Sequence, residues 1–166
     1  MASDPGEAAF TAYYDIWNGD ANKLGNGVTD AKVRAFLENG DPRVRRGPEG
    51  QVPDVAPPWI LCEVLPVQDN GLGPGAGGQS SIGSELEIRL HVFTRRDLAA
   101  PAKRTELRNI QRGIAAKYHE QAIQSAAITT LGWQLGRPCP IRSLYGPSTS
   151  TFLHWIDITR ITAKAG

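Results

Sequence analysis

Residues 85–93 read ELEIRLHVF, with Leu86, Ile88, Leu90 and Val92 at every second position and Glu87, Arg89 and His91 between them. Side chains of a strand alternate between its faces, so this spacing predicts a half-buried antiparallel strand, apolar on one side and polar on the other. Upstream, WILCEVLPV (Trp59 to Val67) predicts a second strand. Pro66 near its end marks an edge or a bulge, because proline donates nothing to a ladder. Together the two make a long hairpin.

The connection between them, QDNGLGPGAGGQSSIGS (Gln68 to Ser84), is rich in glycine, and Gly71-x-Gly73-x-Gly75 raises the question of a phosphate cradle. Such a cradle needs a helix directly after the loop, whose N-terminal N–H groups hold the anion. Here a strand follows, and Gly78 precedes Gln79-Ser80 rather than the Lys-Ser/Thr pair of a nucleotide loop. The run therefore reads as a long, flexible hairpin loop.

Asp4-Pro5 followed by Glu7 is a helix start, with a capping carboxylate, a proline at the first position and an acid in the first turn. Phe10, Tyr13, Tyr14 and Trp17 then give an aromatic helical face, closed by Asn18-Gly19. That face suits either core packing or an anchor on a neighbouring subunit. Thr29-Asp30 predicts a second short helix with Val33, Phe36 and Leu37 inward, ending at Asn39-Gly40. Asp41 to Pro58 carries five prolines and three arginines without periodicity and reads as an irregular connection. Pro101 opens the longest helix, expected to reach Gln124, with Leu107, Ile110, Ile114 and Tyr118 as its apolar stripe. GWQLG with the run to Leu144, and FLHWIDITRIT (Phe152 to Thr162), predict two closing strands around a YGPSTS turn. The expected class is α+β: an antiparallel sheet with one long helix on a face, preceded by short N-terminal helices.

At 166 residues, 40% hydrophobic and 21% charged, the chain is expected to be one domain, with residues 1–27 as a helical extension. No apolar run approaches the roughly 18 residues a membrane helix needs. MASDPGEAAF lacks the basic start and apolar core of a secretory signal, which predicts a protein made in a cytoplasm and kept there or assembled into a particle. The net charge of +1 hides an asymmetry. Residues 1–70 hold 11 acids and 6 bases, whereas residues 89–118 hold 8 bases and 2 acids. Opposite faces of this kind suit head-to-tail contact between identical subunits, and also DNA passing nearby.

Chemistry is sparse. Cys62 and Cys139 are far apart in apolar surroundings, which predicts two buried thiols, with no Cys or His at zinc-ligand spacing. No Gly-x-Ser-x-Gly elbow or His-Glu-x-x-His helix occurs. His91, His119 and His154 are dispersed and read as hydrogen-bonded structural residues, while Glu63 and Asp157 are strand acids able to meet across the sheet. No enzyme and no cofactor are expected. Arg95-Arg96, with Arg104, Arg108 and Arg112 at i, i+4, i+8, are the candidates for contact with a subunit, or with DNA as a small basic-helix binding module.

The order of elements has a resemblance. PPWILCEV, ELEIRLHVFTRR with its basic end, the helix AKRTELRNIQRGIAAKYH, GWQLGRPCPIRSLYG and the closing FLHWIDITRITA resemble the tail-completion, or tail-terminator, proteins of tailed bacteriophages. The likeness runs from Val28 to Ala163, most closely from Pro57 onward; the aromatic helix and the length of the glycine loop lie outside the common pattern. The resemblance implies a structural virion protein, assembled in the host cytoplasm, whose subunits form a hexameric ring. That ring would cap the tail tube and join the head-side connector, with genomic DNA passing through its lumen. A connector or neck protein is the neighbouring alternative. Subunit or tube contact would then fall to Gly71, Gly73, Gly75 and Gln79 of the loop, and to Arg95, Arg96, Arg104, Arg108 and Arg112.

Overall fold

A computed structural model of the chain describes residues 4–47, 50–71, 82–96 and 100–166. Helix α1 (Pro5–Gly19) begins as its sequence requires, with Asp4 accepting from the Glu7 N–H at 3.1 Å and Pro5 in the first turn. It buries Ala8, Ala9, Ala12, Tyr13 and Trp17. A 3₁₀ turn (Thr29–Ala31) follows, then strand β1 (Ala35–Glu38), the hairpin β2 (Val44–Gly47) and β3 (Gly50–Pro53), and the long pair β4 (Trp59–Gly71) and β5 (Ile82–Arg95). Helices α2 (Ala100–Tyr118) and α3 (Ala126–Thr130) precede β6 (Trp133–Leu135), β7 (Cys139–Tyr145) and β8 (Phe152–Ala165). The class is α+β.

Among the described residues, the main sheet runs β1-β4-β5-β8-β6, with β7 pairing β8 alongside β6. The register of β4 and β5 runs from Trp59 opposite Phe93 to Gly71 opposite Ile82, so the ladder extends further than the apolar stretches alone implied. A bulge lies between Pro66 and Gln68, where the missing N–H of Pro66 interrupts the ladder. The loop tip, with Gly73, Gly75 and Gln79, lies outside the described residues; Gly71 ends β4.

Leu86, Ile88, Leu90 and Val92 are all buried beneath the helices. Leu107, Ile110, Ile114 and Tyr118 of α2 meet them in one cluster with α1 and Trp133, Trp155 and Ile161. Tyr13 and Tyr118 stack at 4.4 Å, and both hydroxyls are satisfied: Tyr118 donates to the Tyr13 carbonyl at 2.8 Å, and Tyr13 pairs with Thr159 at 2.7 Å. Burial pushes both phenols well above their usual range. Gly113 lets α2 approach the loop at Leu24, whose carbonyl oxygen would lie 2.8 Å from any Cβ placed there.

Before β6, three elements differ from expectation. The predicted helix at residues 29–40 is a 3₁₀ turn and a strand, because β1 adds in parallel to β4, with Ala35 opposite Trp59. Phe36 then faces the helical core while Leu37 joins Trp59 and Leu61 on the other side, an alternation only a strand gives. The i, i+3 spacing of Val33 and Phe36 fitted both structures, and pairing to a buried strand outweighed local propensity. Residues 41–58, expected to be irregular, contain the β2–β3 hairpin, held in part by Arg45 and Asp54 at 3.0 Å. The long helix stops at Tyr118 rather than Gln124, where Glu120 takes a left-handed φ of 56° and its N–H turns to the Pro138 carbonyl at 2.8 Å.

Candidate functional site

The face of the sheet away from the helices is built by the polar positions of β5 and their partners. Arg89 reaches Glu87 at 2.8 Å and Glu63 of β4 at 3.6 Å, and Arg160 of β8 lies 3.5 Å from Glu85. Next along the face, His91 Nε2 is 3.3 Å from a Glu63 carboxylate oxygen, and His91 Nδ1 is 3.0 Å from His154 Nε2. Phe93 stacks on the His154 ring at 4.3 Å, and beyond it Trp59, Phe93 and Phe152 form an aromatic end. Desolvation holds the His91 imidazole below its ordinary range despite the neighbouring Glu63. Desolvation and the adjacent His91 bring His154 to about 4.

Glu63 and Asp157 do not meet. Asp157 stands opposite Leu90 and so faces the helices, where His119 at the end of α2 bonds it at 2.9 Å; Glu63 stands opposite Arg89 on the other face. Burial raises the Asp157 carboxyl above its usual range, against the hydrogen bond from His119.

The arginines expected to make contacts are not gathered in one place. Arg104, Arg108 and Arg112 form an exposed row on α2, without a salt bridge to any described residue. Arg96 is exposed but tied to the β7–β8 turn: its guanidinium donates to the Thr149 carbonyl at 2.6 Å and its N–H to Thr151 at 2.8 Å. Arg95 is half-buried and lines a cleft of about 370 Å³ with Arg34, Asp30, Pro57, Thr105 and the buried Glu106. Both signs of charge line this cleft, so it is not an anion cradle.

The stretch from GWQLG to Leu144, expected to be one strand, divides into β6 and β7, and the exposure of β7 is what the sequence did not show. All seven of its residues are exposed, including Ile141 at 45%, Leu144 at 36% and Tyr145 at 70%. Cys139, expected to be buried, opens this strand and is exposed, whereas Cys62 is fully buried with its thiol pushed up by desolvation. The reason is topological. CPIRSLY pairs only with β8 in the described structure, so the other side of its ladder is open. An open edge is a template for another chain, partly blunted here by Pro140, the Pro140–Arg142 bulge and the Arg142 charge. The signal available in the sequence was the isolated apolar-aromatic pair Leu144-Tyr145 beside Arg142, lacking the alternation of a buried strand.

No family model and no curated protein matches this chain. Among solved structures, a chain from the virion of a native gene transfer agent particle has a similar fold. The TM-score is 0.59 at 15% identity, over 99% of this chain and 100% of that one.

Proposed function

We propose that this chain is a structural subunit of a phage-like particle, a tail terminator that closes the tail tube as a ring of about six copies built by heterologous contacts. The supporting observation is the end-to-end likeness of its fold to a chain of a gene transfer agent virion, with neither chain left over. The resemblance of its strand and helix order to tail-terminator proteins points the same way. In this reading the chain supplies shape and adhesive surfaces and performs no reaction.

The surfaces fit the task. The arginine row of α2 faces outward and suits the acid-rich N-terminal part of a neighbouring subunit. The open edge of β7 offers backbone groups and the Ile141, Leu144 and Tyr145 side chains to a second chain. The loop with Gly71, Gly73, Gly75 and Gln79, and the basic pair Arg95-Arg96, remain proposed contacts to the tube or a neighbour. The assembled ring would sit in the neck of the virion, between tube protein and head-side connector, with DNA passing through.

Cys139 is a native reporter for β7, since Cys62 is out of reach of reagents. Alkylation of Cys139 in the assembled and dissociated protein tests whether the edge is covered; the expected result is protection on assembly. Crosslinking in tails then identifies the neighbour. Capture of tube protein supports the terminator position, and capture of portal-side proteins alone moves the chain to the connector.

A further inference from the structure

The two ends of the main sheet carry opposite charge, and neither end is neutralised within the described chain. β1 stands at one end of the strand order, and β6 and β7 beside β8 at the other. After Glu120 the sequence holds four bases, Arg137, Arg142, Arg160 and Lys164, and one acid, Asp157. Asp157 is buried on His119, and Arg160 lies by Glu85. Arg137, Arg142 and Lys164 are exposed and make no salt bridge to a described residue. At the opposite end, Asp4 and Glu7 of the α1 start and Glu38 of β1 line a cleft of about 170 Å³ with Gly6, Asn39 and the half-buried Val64. No described Lys or Arg lines it, and none of the three exposed carboxylates is in a salt bridge to a described residue. Capping accounts for Asp4 and the helix dipole for Glu7, but Glu38 comes from a strand and serves neither role. Four strand spacings put the two ends roughly 19 Å apart. That is beyond the screening length of about 8–10 Å at ordinary salt. The ends of one copy therefore cannot satisfy each other, whereas those of neighbouring copies can.

Resting on the ring reading, we propose that β7 of one copy docks on the α1–β1 end of the next, with the Arg142 guanidinium seated between Asp4, Glu7 and Glu38. A heterologous contact needs two different patches on opposite sides of a subunit, which is how this sheet places them. The arginine row of α2 lies over a face of the sheet, whereas Arg142 lies at its end, where side-by-side copies touch. All seven β7 residues are exposed, so Leu144 and Tyr145 beside Arg142 also lack cover within the described structure. In the cleft, Val64 offers the arginine stem an apolar wall while the carboxylates take its planar head. Arg137 and Lys164 extend the same field and steer the approach.

Light scattering over a range of concentrations, on the whole chain and its charge variants, tests the contact, with thermal melts showing that each variant folds. Arg142→Glu, on an exposed strand, is expected to raise the concentration for half-assembly at least about tenfold while its thermal midpoint stays in place. Glu7→Lys with Glu38→Lys reverses the cleft and is expected to do the same. Glu38→Lys alone, which leaves the helix start intact, is expected to give a smaller rise in the same direction. An equimolar mixture of the Arg142→Glu and the Glu7→Lys, Glu38→Lys proteins is expected to assemble again, because each supplies the edge the other lacks. Arg142→Glu assembling as well as the parent, or the two defective proteins staying apart when mixed, would overturn the contact and leave the ring standing. A parent that is monomeric at every concentration would overturn the ring reading and the contact with it.

Discussion

The two faces of the main sheet are built from alternate residues of the same strands, yet they are held by different physics. Toward the helices, Leu86, Ile88, Leu90 and Val92 lie under α2 in a closed apolar cluster in which the buried tyrosine hydroxyls are bonded. On the other side, Glu85, Glu87, Arg89 and His91 meet Glu63, Arg160 and His154 in half-exposed pairs. Apolar burial is worth roughly 1.5–3 kcal/mol per large side chain, whereas exposed ion pairs contribute about 0–1. The first face fixes the fold; the second sets register and responds to pH.

Substitutions on each side sharpen this contrast. Ile114→Ala, at a fully buried position of α2, is expected to cost about 2–5 kcal/mol in denaturant unfolding. Gly146→Ala forces a methyl group into the His154 ring, and a cost of about 1–3 kcal/mol is expected, read as a lower thermal midpoint with β7 loosened. Tyr118→Phe removes one buried hydrogen bond and is expected to cost about 1 kcal/mol. Arg104→Ala, Arg108→Ala and Arg112→Ala each fall within about 0.5 kcal/mol for the isolated chain, and together abolish assembly if this row is a subunit contact. A small loss from Ile114, or a loss as large as Ile114's from Arg89→Ala on the polar face, would erase the distinction between the faces.

Acid gives a further reading. Folded His91 and His154 bind protons less readily than in the unfolded chain, so below their ordinary value of 6.5 the unfolded state holds more protons, down to about 4 for His154. Their contribution is therefore complete above 6.5 and is lost as pH falls through this window. Asp157 works in the opposite sense: its raised carboxyl favours the folded state increasingly as pH falls toward its protonation. Replacing His91 and His154 together is expected to flatten the loss of stability measured by thermal unfolding from pH 7 to pH 4, and Asp157→Asn to steepen it.

The hairpin was legible because ELEIRLHVF allows only one period, and α1 because Asp4, Pro5 and Glu7 specify its first turn. Pro66 announced its bulge. What the sequence hid depends on partners distant in the chain. Phe36 and Leu37 became a strand because β4 was there to pair with, and Glu120 ended α2 by bonding to Pro138. His91 and His154, 63 residues apart, meet diagonally only once β5 and β8 are in register. The exposed edge of β7 follows from its place beside β8 rather than from its composition.

Light scattering on the purified chain at high concentration, with images of any particles formed, tests the central account most directly. The proposed tail-terminator reading predicts a closed ring of about six copies, built by heterologous contacts. A species that stays monomeric at every concentration, and is missing from purified tails, would contradict it.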